Sequence, residues 1–314
     1  MMDKNSKIFL AGHRGLVGSA IYKLLKEDGY NNIVVKTREE LDLLDDKKVR
    51  KFFETEKPEY VFLAAAKVGG IIANSENPAD FIYENIKIET NVIHSSYLSK
   101  VKKLLFLGSS CIYPKLAKQP IKEEYLLSGY LEKSNIGYAV AKIAGIVMAQ
   151  KYNEQYGTNF ISVMPSNLYG PGDNFNLHNS HVLPALIRKF HNAKENNDNS
   201  VEVWGTGNPR REFIYIDDLA RACIFLMNNY NESEIVNIGA GKDYSIKELA
   251  EIIKSELGFS GEIKWDTTKP DGTPRKLLDV SKLKDLGWEP SVSLEEGVSK
   301  TYKWFLDNLD DIRE

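Results

Sequence analysis

The sequence predicts an α/β fold, a doubly wound parallel sheet of the Rossmann type joined to a second, smaller α/β lobe. Three observations carry this expectation. Short apolar, β-rich runs alternate with longer stretches of helical periodicity through the first half of the chain, a glycine-rich turn separates the first such run from the first helical stretch, and the rhythm changes after about residue 170.

The elements follow in order. Lys7-Ile8-Phe9-Leu10-Ala11 reads as a short buried strand, and the stretch from Leu16 to Lys26 carries apolar residues at helical spacing. Ile33-Val34-Val35 is a second strand, the segment from Val49 to Glu56 a second helix and Tyr60-Val61-Phe62-Leu63 a third strand. A helix from Asp80 to Leu98, a strand from Lys103 to Leu107, a helix from Tyr138 to Tyr152 and a strand from Phe160 to Met164 complete the series. Crossovers between parallel strands are right-handed, so such a series winds into one sheet with helices on both faces.

Beyond it, Gly170-Pro171-Gly172 marks a turn, and the Asn-, Lys- and Glu-rich stretch from Asn192 to Ser200 reads as a solvated loop. Val201-Glu202-Val203-Trp204 is a strand, the segment from Asp217 to Asn228 a helix and that from Ile235 to Ile238 a strand. Ser245 is an N-cap for a helix reaching Leu257, the segment from Thr267 to Arg275 is a loop, and the tail from Leu294 to Asn308 is helical. This reading assigns residues 1–170 and about 212–240 to the doubly wound domain, and about 171–211 and 241–314 to the smaller lobe. Ligands are expected where the carboxyl ends of the strands face that lobe.

Composition narrows the function classes. At 314 residues, 42% hydrophobic and 27% charged, the chain has the profile of a soluble globular protein rather than a disordered or fibrous one. Lys plus Arg number 41 and Asp plus Glu 44, a net charge of −3, which argues against a dedicated nucleic-acid binder. No stretch approaches the roughly 20 apolar residues of a membrane span, and the first apolar run is too short for the core of a signal peptide. Cys111 and Cys223 are too few for a disulfide framework and are not spaced as a metal site, so a reduced, cytoplasmic chain without a metal is expected.

Gly12-His13-Arg14-Gly15-Leu16-Val17-Gly18 follows the first strand and opens the first helix, the context a dinucleotide fingerprint requires. Gly12 permits a tight turn, Gly15 lets a pyrophosphate approach the backbone and Gly18 allows close packing, while the helix N-terminus offers N–H groups and partial positive charge. The spacing, G-x-x-G-x-x-G, differs from the commoner G-x-G-x-x-G, and glycines also serve purely structural turns. Where an NAD binder usually carries an acidic residue, the second strand ends in Val35-Lys36-Thr37-Arg38. Arg38 with Arg14 suits a 2′-phosphate, which favours NADP (NADPH); neighbouring Glu39 and Glu40, and the alternative of two solvated arginines, weigh on the other side.

Tyr138 and Lys142 lie four residues apart on one helical face, where a cation favours phenolate and lets Tyr exchange a proton near neutral pH. Tyr22 with Lys26 and Tyr83 with Lys87 repeat that spacing, so context distinguishes the pair. Tyr138 follows by about 30 residues a strand that ends Leu107-Gly108-Ser109-Ser110-Cys111, which puts a hydroxyl at the sheet's carboxyl end.

On these residues the chain resembles the extended short-chain dehydrogenases/reductases. Within them it is similar to the GDP-L-fucose synthase family, through Gly12-His13-Arg14-Gly15, Gly108-Ser109-Ser110-Cys111-Ile112-Tyr113-Pro114-Lys115, Asn167-Leu168-Tyr169-Gly170-Pro171, Asn179-Ser180-His181-Val182, Arg211-Glu212-Phe213 and Lys269-Pro270-Asp271-Gly272-Thr273-Pro274-Arg275-Lys276. The resemblance implies NADPH-dependent 3,5-epimerisation and 4-reduction of GDP-4-keto-6-deoxy-D-mannose to GDP-L-fucose. Related sugar-nucleotide dehydratases carry an acidic residue just after the serine or threonine of this strand, whereas Ser110 and Cys111 stand here.

The resemblance implies that Cys111 removes the protons of C3 and C5 and that His181 returns protons from the opposite face. Ser109, Tyr138 and Lys142 steady the enolate oxygen, and Tyr138 supplies the proton when hydride reaches C4. It also implies cofactor contacts from His13, Leu16, Val17, Leu107, Gly108, Lys142, Pro165, Asn167, Leu168 and His181, and substrate contacts from Lys189, Trp204, Arg211 and Asp279. Each has a plainer alternative: a buried Cys, a structural His, a lobe-core Trp or a solvated Lys. The helix bearing Tyr138 is apolar nearly all round, and the family pairs it with the helix from Asp80 to Leu98 across a twofold axis, so a homodimer is expected. Two other functions remain open on the residues alone: an NAD(P)-dependent sugar-nucleotide 4-epimerase or dehydratase, and a non-catalytic NADP-sensing protein.

Overall fold

A computed structural model describes residues 1–177, 180–269 and 271–312 of the chain; Asn179 and Pro270, quoted in the motifs above, lie outside the described residues. The first part runs β1 (Ile8–Ala11), α1 (Leu16–Glu27), β2 (Ile33–Val34), α2 (Asp46–Glu56), β3 (Tyr60–Leu63), α3 (Ile71–Glu76), α4 (Pro78–Leu98), β4 (Lys103–Leu107), α5 (Ile136–Tyr156) and β5 (Phe160–Pro165). The remainder runs β6 (Asn167–Tyr169), α6 (Val182–Glu195), β7 (Ser200–Trp204), β8 (Arg210–Tyr215), α7 (Ile216–Asn229), β9 (Val236–Ile238), β10 (Asp243–Ser245), α8 (Ile246–Leu257), β11 (Glu262–Asp266), β12 (Arg275–Lys276), α9 (Ser281–Asp285) and α10 (Leu294–Asp307).

Six parallel strands form the main sheet in the order β2-β1-β3-β4-β5-β9. All four β1 residues are buried because helices cover both faces, which is why the strand reads as a continuous apolar run. Ile8 and Leu10 pack with Leu24, Leu25, Leu219 and Leu226 of α1 and α7. Phe9 and Ala11 join Phe53, Val92 and Ile146 of α2, α4 and α5 on the other face. The strand order reverses between β1 and β3, and a crevice opens at their carboxyl ends.

Three further strands, β10-β8-β12, form a second sheet to which β6 adds by pairing with β8, and β7 pairs with β11 in a separate ribbon. Phe190, Leu249, Val298 and Phe305, from α6, α8 and α10, belong to the core of this region. Ser245 caps α8 with a reciprocal bond: its hydroxyl accepts from Glu248 N–H at 3.0 Å and the Glu248 carboxylate accepts from Ser245 N–H at 2.6 Å.

The sequence reading leaves α3, β6, most of α6, β10, β11 and α9 unread, and two further departures have a clear physical reason. The supposed loop from Asn192 to Ser200 begins as the last turn of α6, because the buried stripe Leu183, Leu186, Ile187, Phe190 and Ala193 carries helical spacing beneath a polar exterior. Strand β8 is missed in the sequence since a charged residue, the fully buried Glu212, interrupts its apolar pattern.

Glu212 ties β8 to β6, to the turn after β9 and to the segment after β12. Its carboxylate accepts from Gly241 N–H at 2.7 Å and Leu278 N–H at 2.9 Å, and its backbone carbonyl accepts from the Asn167 amide at 2.7 Å. Burial pushes its carboxyl up from 4.5 to about 7, against those backbone hydrogen bonds. The folded value exceeds the unfolded one, so the stability this group contributes is complete below about pH 4.5 and is lost as pH rises through about 7. We therefore expect wild type to exceed Glu212→Gln in urea-unfolding stability by more at pH 5 than at pH 8, the gap narrowing by on the order of 2 kcal/mol. An identical gap at both values would contradict the assignment.

Candidate active site

The turn after β1 shows why three glycines are spaced as they are. Gly12 adopts φ +90°, and a Cβ there would come within 2.7 Å of the Ala65 backbone nitrogen beyond β3. At Gly18 a Cβ would sit 2.1 Å from the Gly12 carbonyl oxygen, so α1 can lie on its own turn only with hydrogen at that position. Gly15 occupies the N-cap of α1 without a side-chain cap, and Gly12, Gly15, Leu16 and Val17 line a cavity of about 650 Å³. Backbone N–H groups at an uncapped helix start, with no side chain in front of them, suit a pyrophosphate.

The end of β2 supplies the basic groups. Lys36 and Arg38 line the cavity, and Arg38 stays largely exposed with only loose ion pairs, 4.0 Å to Asp42 and 3.8 Å to Glu84. Glu39 is held below the usual carboxylate range by its own backbone N–H and then the Thr37 hydroxyl, Glu40 by the Thr37 N–H and hydroxyl, and neither lines the cavity. Arg38 thus faces the crevice where the two acidic residues do not. His13, Arg14 and Gly18 of the turn do not line the cavity; Arg14 is exposed.

At the other end of the crevice the structure brings Ser109, Cys111, Tyr138, Lys142 and His181 to the same cavity. Leu107, Gly108, Pro165, Asn167 and Leu168, at the ends of β4 and β5 and the start of β6, form its floor. The chain leaves β4 through the 3-10 turn Ser110–Ile112, and the Ser109 hydroxyl accepts from Cys111 N–H at 3.2 Å, which aims both side chains outward from the sheet. Tyr138 and Lys142 project from the first turns of α5, and the Tyr138 hydroxyl hydrogen-bonds Ser109.

Electrostatics separates these groups. Burial pushes the Cys111 thiol up, but the Lys276 ammonium 3.5 Å away, with hydrogen bonds from Ser109, Lys276 and Asn135, brings it below the ordinary thiol value. Burial, then the charges of Cys111 and Glu89, lift Tyr138 well above the ordinary phenol value. His181 is open to the cavity yet enclosed by protein elsewhere; that desolvation, then the Lys276 charge, lower it from the ordinary imidazole value. Lys142 is almost wholly buried and lies 3.0 Å from the equally buried carboxylate of Glu89 on α4.

Lys189, Trp204, Arg211 and Asp279 do not line this cavity. The exposed Trp204 ring lies 5.4 Å from the Lys189 ammonium and 5.3 Å from that of Lys269, and Asp271, bound to Thr206 at 2.7 Å, bears on the guanidinium of Arg211. Those residues make a cationic and aromatic cluster drawn from α6, the end of β7, the start of β8 and the loop after β11. Asp279 is engaged differently, its carboxylate accepting from Ser281 N–H at 2.9 Å at the start of α9. Lys276, Asn135 and Glu89 are site residues that sequence reading missed. Lys276 closes the Lys269–Lys276 string quoted above without a role read for it, and Glu89 leaves a trace as an acidic residue on the stripe Phe81, Asn85, Glu89, Ile93 of the buried side of α4.

No group of three His, Cys, Asp or Glu side chains among the described residues is arranged to hold a metal ion, and none of the described helices is long and apolar enough to cross a membrane.

Comparison with known proteins agrees with this geometry. The profile of the NAD dependent epimerase/dehydratase family matches residues 8–239. GDP-L-fucose synthase 1 of Arabidopsis thaliana is 61% identical over 309 residues, 98% of this chain and 96% of that protein. The GDP-L-fucose synthase of Escherichia coli K12 is 53% identical over 316 residues, covering 98% of each. The crystal structure of a GDP-L-fucose synthetase from Naegleria fowleri bound to NADP superposes with a TM-score of 0.93 at 31% identity, covering 100% of this chain and 98% of that one. The chain belongs to the NAD-dependent epimerase/dehydratase family and, within it, to the GDP-L-fucose synthases.

Proposed function

We propose that the protein is an NADPH-dependent 3,5-epimerase and 4-reductase that converts GDP-4-keto-6-deoxy-D-mannose into GDP-L-fucose. The observation that carries this reading is a lysine-activated thiol, Cys111, sharing one cavity with the Ser109, Tyr138 and Lys142 group and the imidazole of His181. A plain 4-epimerase or dehydratase has no use for such a thiol. The glycine turn of α1 would hold the cofactor pyrophosphate, Arg38 and Lys36 the 2′-phosphate, and the floor residues from Leu107 to Leu168 the nicotinamide end. Lys189, Trp204 and Arg211 would take the nucleotide end of the substrate, where a guanidinium fork suits a pyrophosphate.

The chemistry follows from the side chains. The Cys111 thiolate accepts a proton from C3 or C5, each acidified by the neighbouring C4 ketone, and Tyr138 and Ser109 donate hydrogen bonds to the enolate oxygen. His181 returns a proton to the opposite face of the carbon. NADPH, when bound, supplies the hydride for C4. Tyr138 then gives its proton to the C4 oxygen, and the Lys142 ammonium stabilises the phenolate left behind. A reactive thiol of this kind belongs in a reducing compartment, and we place the enzyme in the cytoplasm.

The same reading includes a homodimer. On α5 the apolar side chains Ile136, Val140 and Ala144 follow one another at four-residue spacing and are exposed, and Tyr83 is exposed on the adjoining α4. Sedimentation should give a dimer mass for the wild type and a monomer for Val140→Arg; a wild-type monomer at every concentration would refute the pairing.

The reaction is tested by supplying GDP-4-keto-6-deoxy-D-mannose and NADPH and following absorbance at 340 nm and the product sugar. Tyr138→Phe should lose reduction by roughly a hundredfold or more while C3/C5 exchange with deuterated water persists, and Cys111→Ser should lose most of that exchange. Wild-type exchange in Cys111→Ser would remove Cys111 from the role of base. The activation of the thiol has its own test in the pH dependence of iodoacetamide alkylation, since Cys223 is fully buried. Wild-type Cys111 should react with an apparent pKa below 9, and Lys276→Met should move it upward. An unchanged profile would show that Lys276 does not activate it.

A further inference from the structure

The chain buries a carboxylate behind Lys142 that the chemistry above does not use. Glu89 and Lys142 are each about 2% exposed, with Nζ 3.0 Å from Oε1, and neither Glu89 oxygen makes a well-directed hydrogen bond among the described residues. An acidic side chain held so deep is costly unless a charge offsets it. The packing makes room for it: a Cβ at Gly145, one turn along α5 from Lys142, would stand 2.8 Å from Oε2 of Glu89 and 2.6 Å from the Phe106 ring. A glycine in a helix interior costs about 1 kcal/mol relative to alanine. Here it admits the carboxylate between α4 and α5.

We propose that Glu89 is a positioning residue for ketone reduction, which seats the Lys142 ammonium and offsets its pull on Tyr138 so that the phenol stays protonated and able to act as the acid. This rests on the reductase reading above. A lone ammonium beside a phenol favours phenolate, the form a dehydrogenase needs to accept a proton. With a carboxylate beside it, the ammonium presents a compact ion pair of small net charge, and the phenol keeps the proton that reduction consumes. The groups facing Tyr138 divide: Lys142 on its own helix forms the pair with Glu89 from α4, and from the end of β4 the Cys111 charge opposes phenolate while the Ser109 hydrogen bond favours it. Lys276 of β12 bears on Cys111 and His181 rather than on the phenol. Glu89 and Cys111 charges both raise Tyr138, after burial.

The test titrates the phenol directly. In full-length protein carrying ¹³Cζ-tyrosine, the Tyr138 resonance is identified by its absence in Tyr138→Phe and followed with pH by NMR. Glu89→Gln should titrate at least one pH unit lower than wild type, a tenfold change in proton affinity, and the alkaline limb of single-turnover reduction should move down with it, whereas Glu89→Asp should stay near wild type. Equal titration in Glu89→Gln and wild type would overturn the proposal. If Glu89→Gln does not fold, Gly145→Ala, whose methyl would stand 2.8 Å from Oε2 and push the carboxylate away from Lys142, should titrate lower in the same way, and equality with wild type there overturns the proposal as well. The titration needs no substrate, so a wild type that fails to reduce the ketone refutes the proposed function while leaving the NMR result to judge Glu89.

Discussion

The ammonium of Lys276 beside the thiol of Cys111 joins two parts of the molecule that lie 165 residues apart in the chain, and the rest of the site is organised around that junction. Lys276 ends β12, in the second sheet; Cys111 follows β4, in the first. Buried polar groups hold the two together. The Asn237 amide of β9 donates to the carbonyls of Ile121 and Asp279, and its oxygen accepts from the Tyr113 hydroxyl at 2.6 Å. Ile121 N–H also donates to the Leu277 carbonyl, so the loop after β4 and the segment after β12 are tied to one another as well as to the sheets.

An apolar contact of the same size would fix the register less tightly, because hydrophobic burial is non-directional and depends on area. Hydrogen bonds from fixed backbone groups are directional. A buried amide such as Asn237 is satisfied in one register only, and losing a partner leaves a polar atom without water, which costs on the order of 1–3 kcal/mol. This gives a physical reason for polar residues at the seam between sheets whose interiors are otherwise aromatic and aliphatic.

Within the cavity, environment sorts chemically similar groups into different tasks. Cys111 falls below the usual thiol range beside a cation, Tyr138 rises where burial and two acidic neighbours oppose phenolate, and burial with the Lys276 charge lowers His181. Cys223, buried in the α1 and α7 core without such a neighbour, is pushed up to about 12. The two cysteines of one chain therefore differ in reactivity for reasons of position alone.

Much of this protein is legible in local pattern. The glycine turn, the continuous apolar strands and the Tyr138–Lys142 spacing each depend on neighbours within one or two turns of chain, and backbone sterics and burial periodicity act over that range. The end of α6, the strand β8 and the roles of Glu212, Glu89 and Lys276 escape such reading, since each is a charged or polar residue whose meaning comes from a distant partner. The residue types of the site are written in the chain; their distances, their relative burial and hence their proton affinities arise only when packing removes water and sets one group beside another, because Coulombic and desolvation effects depend on spatial separation and not on order along the backbone.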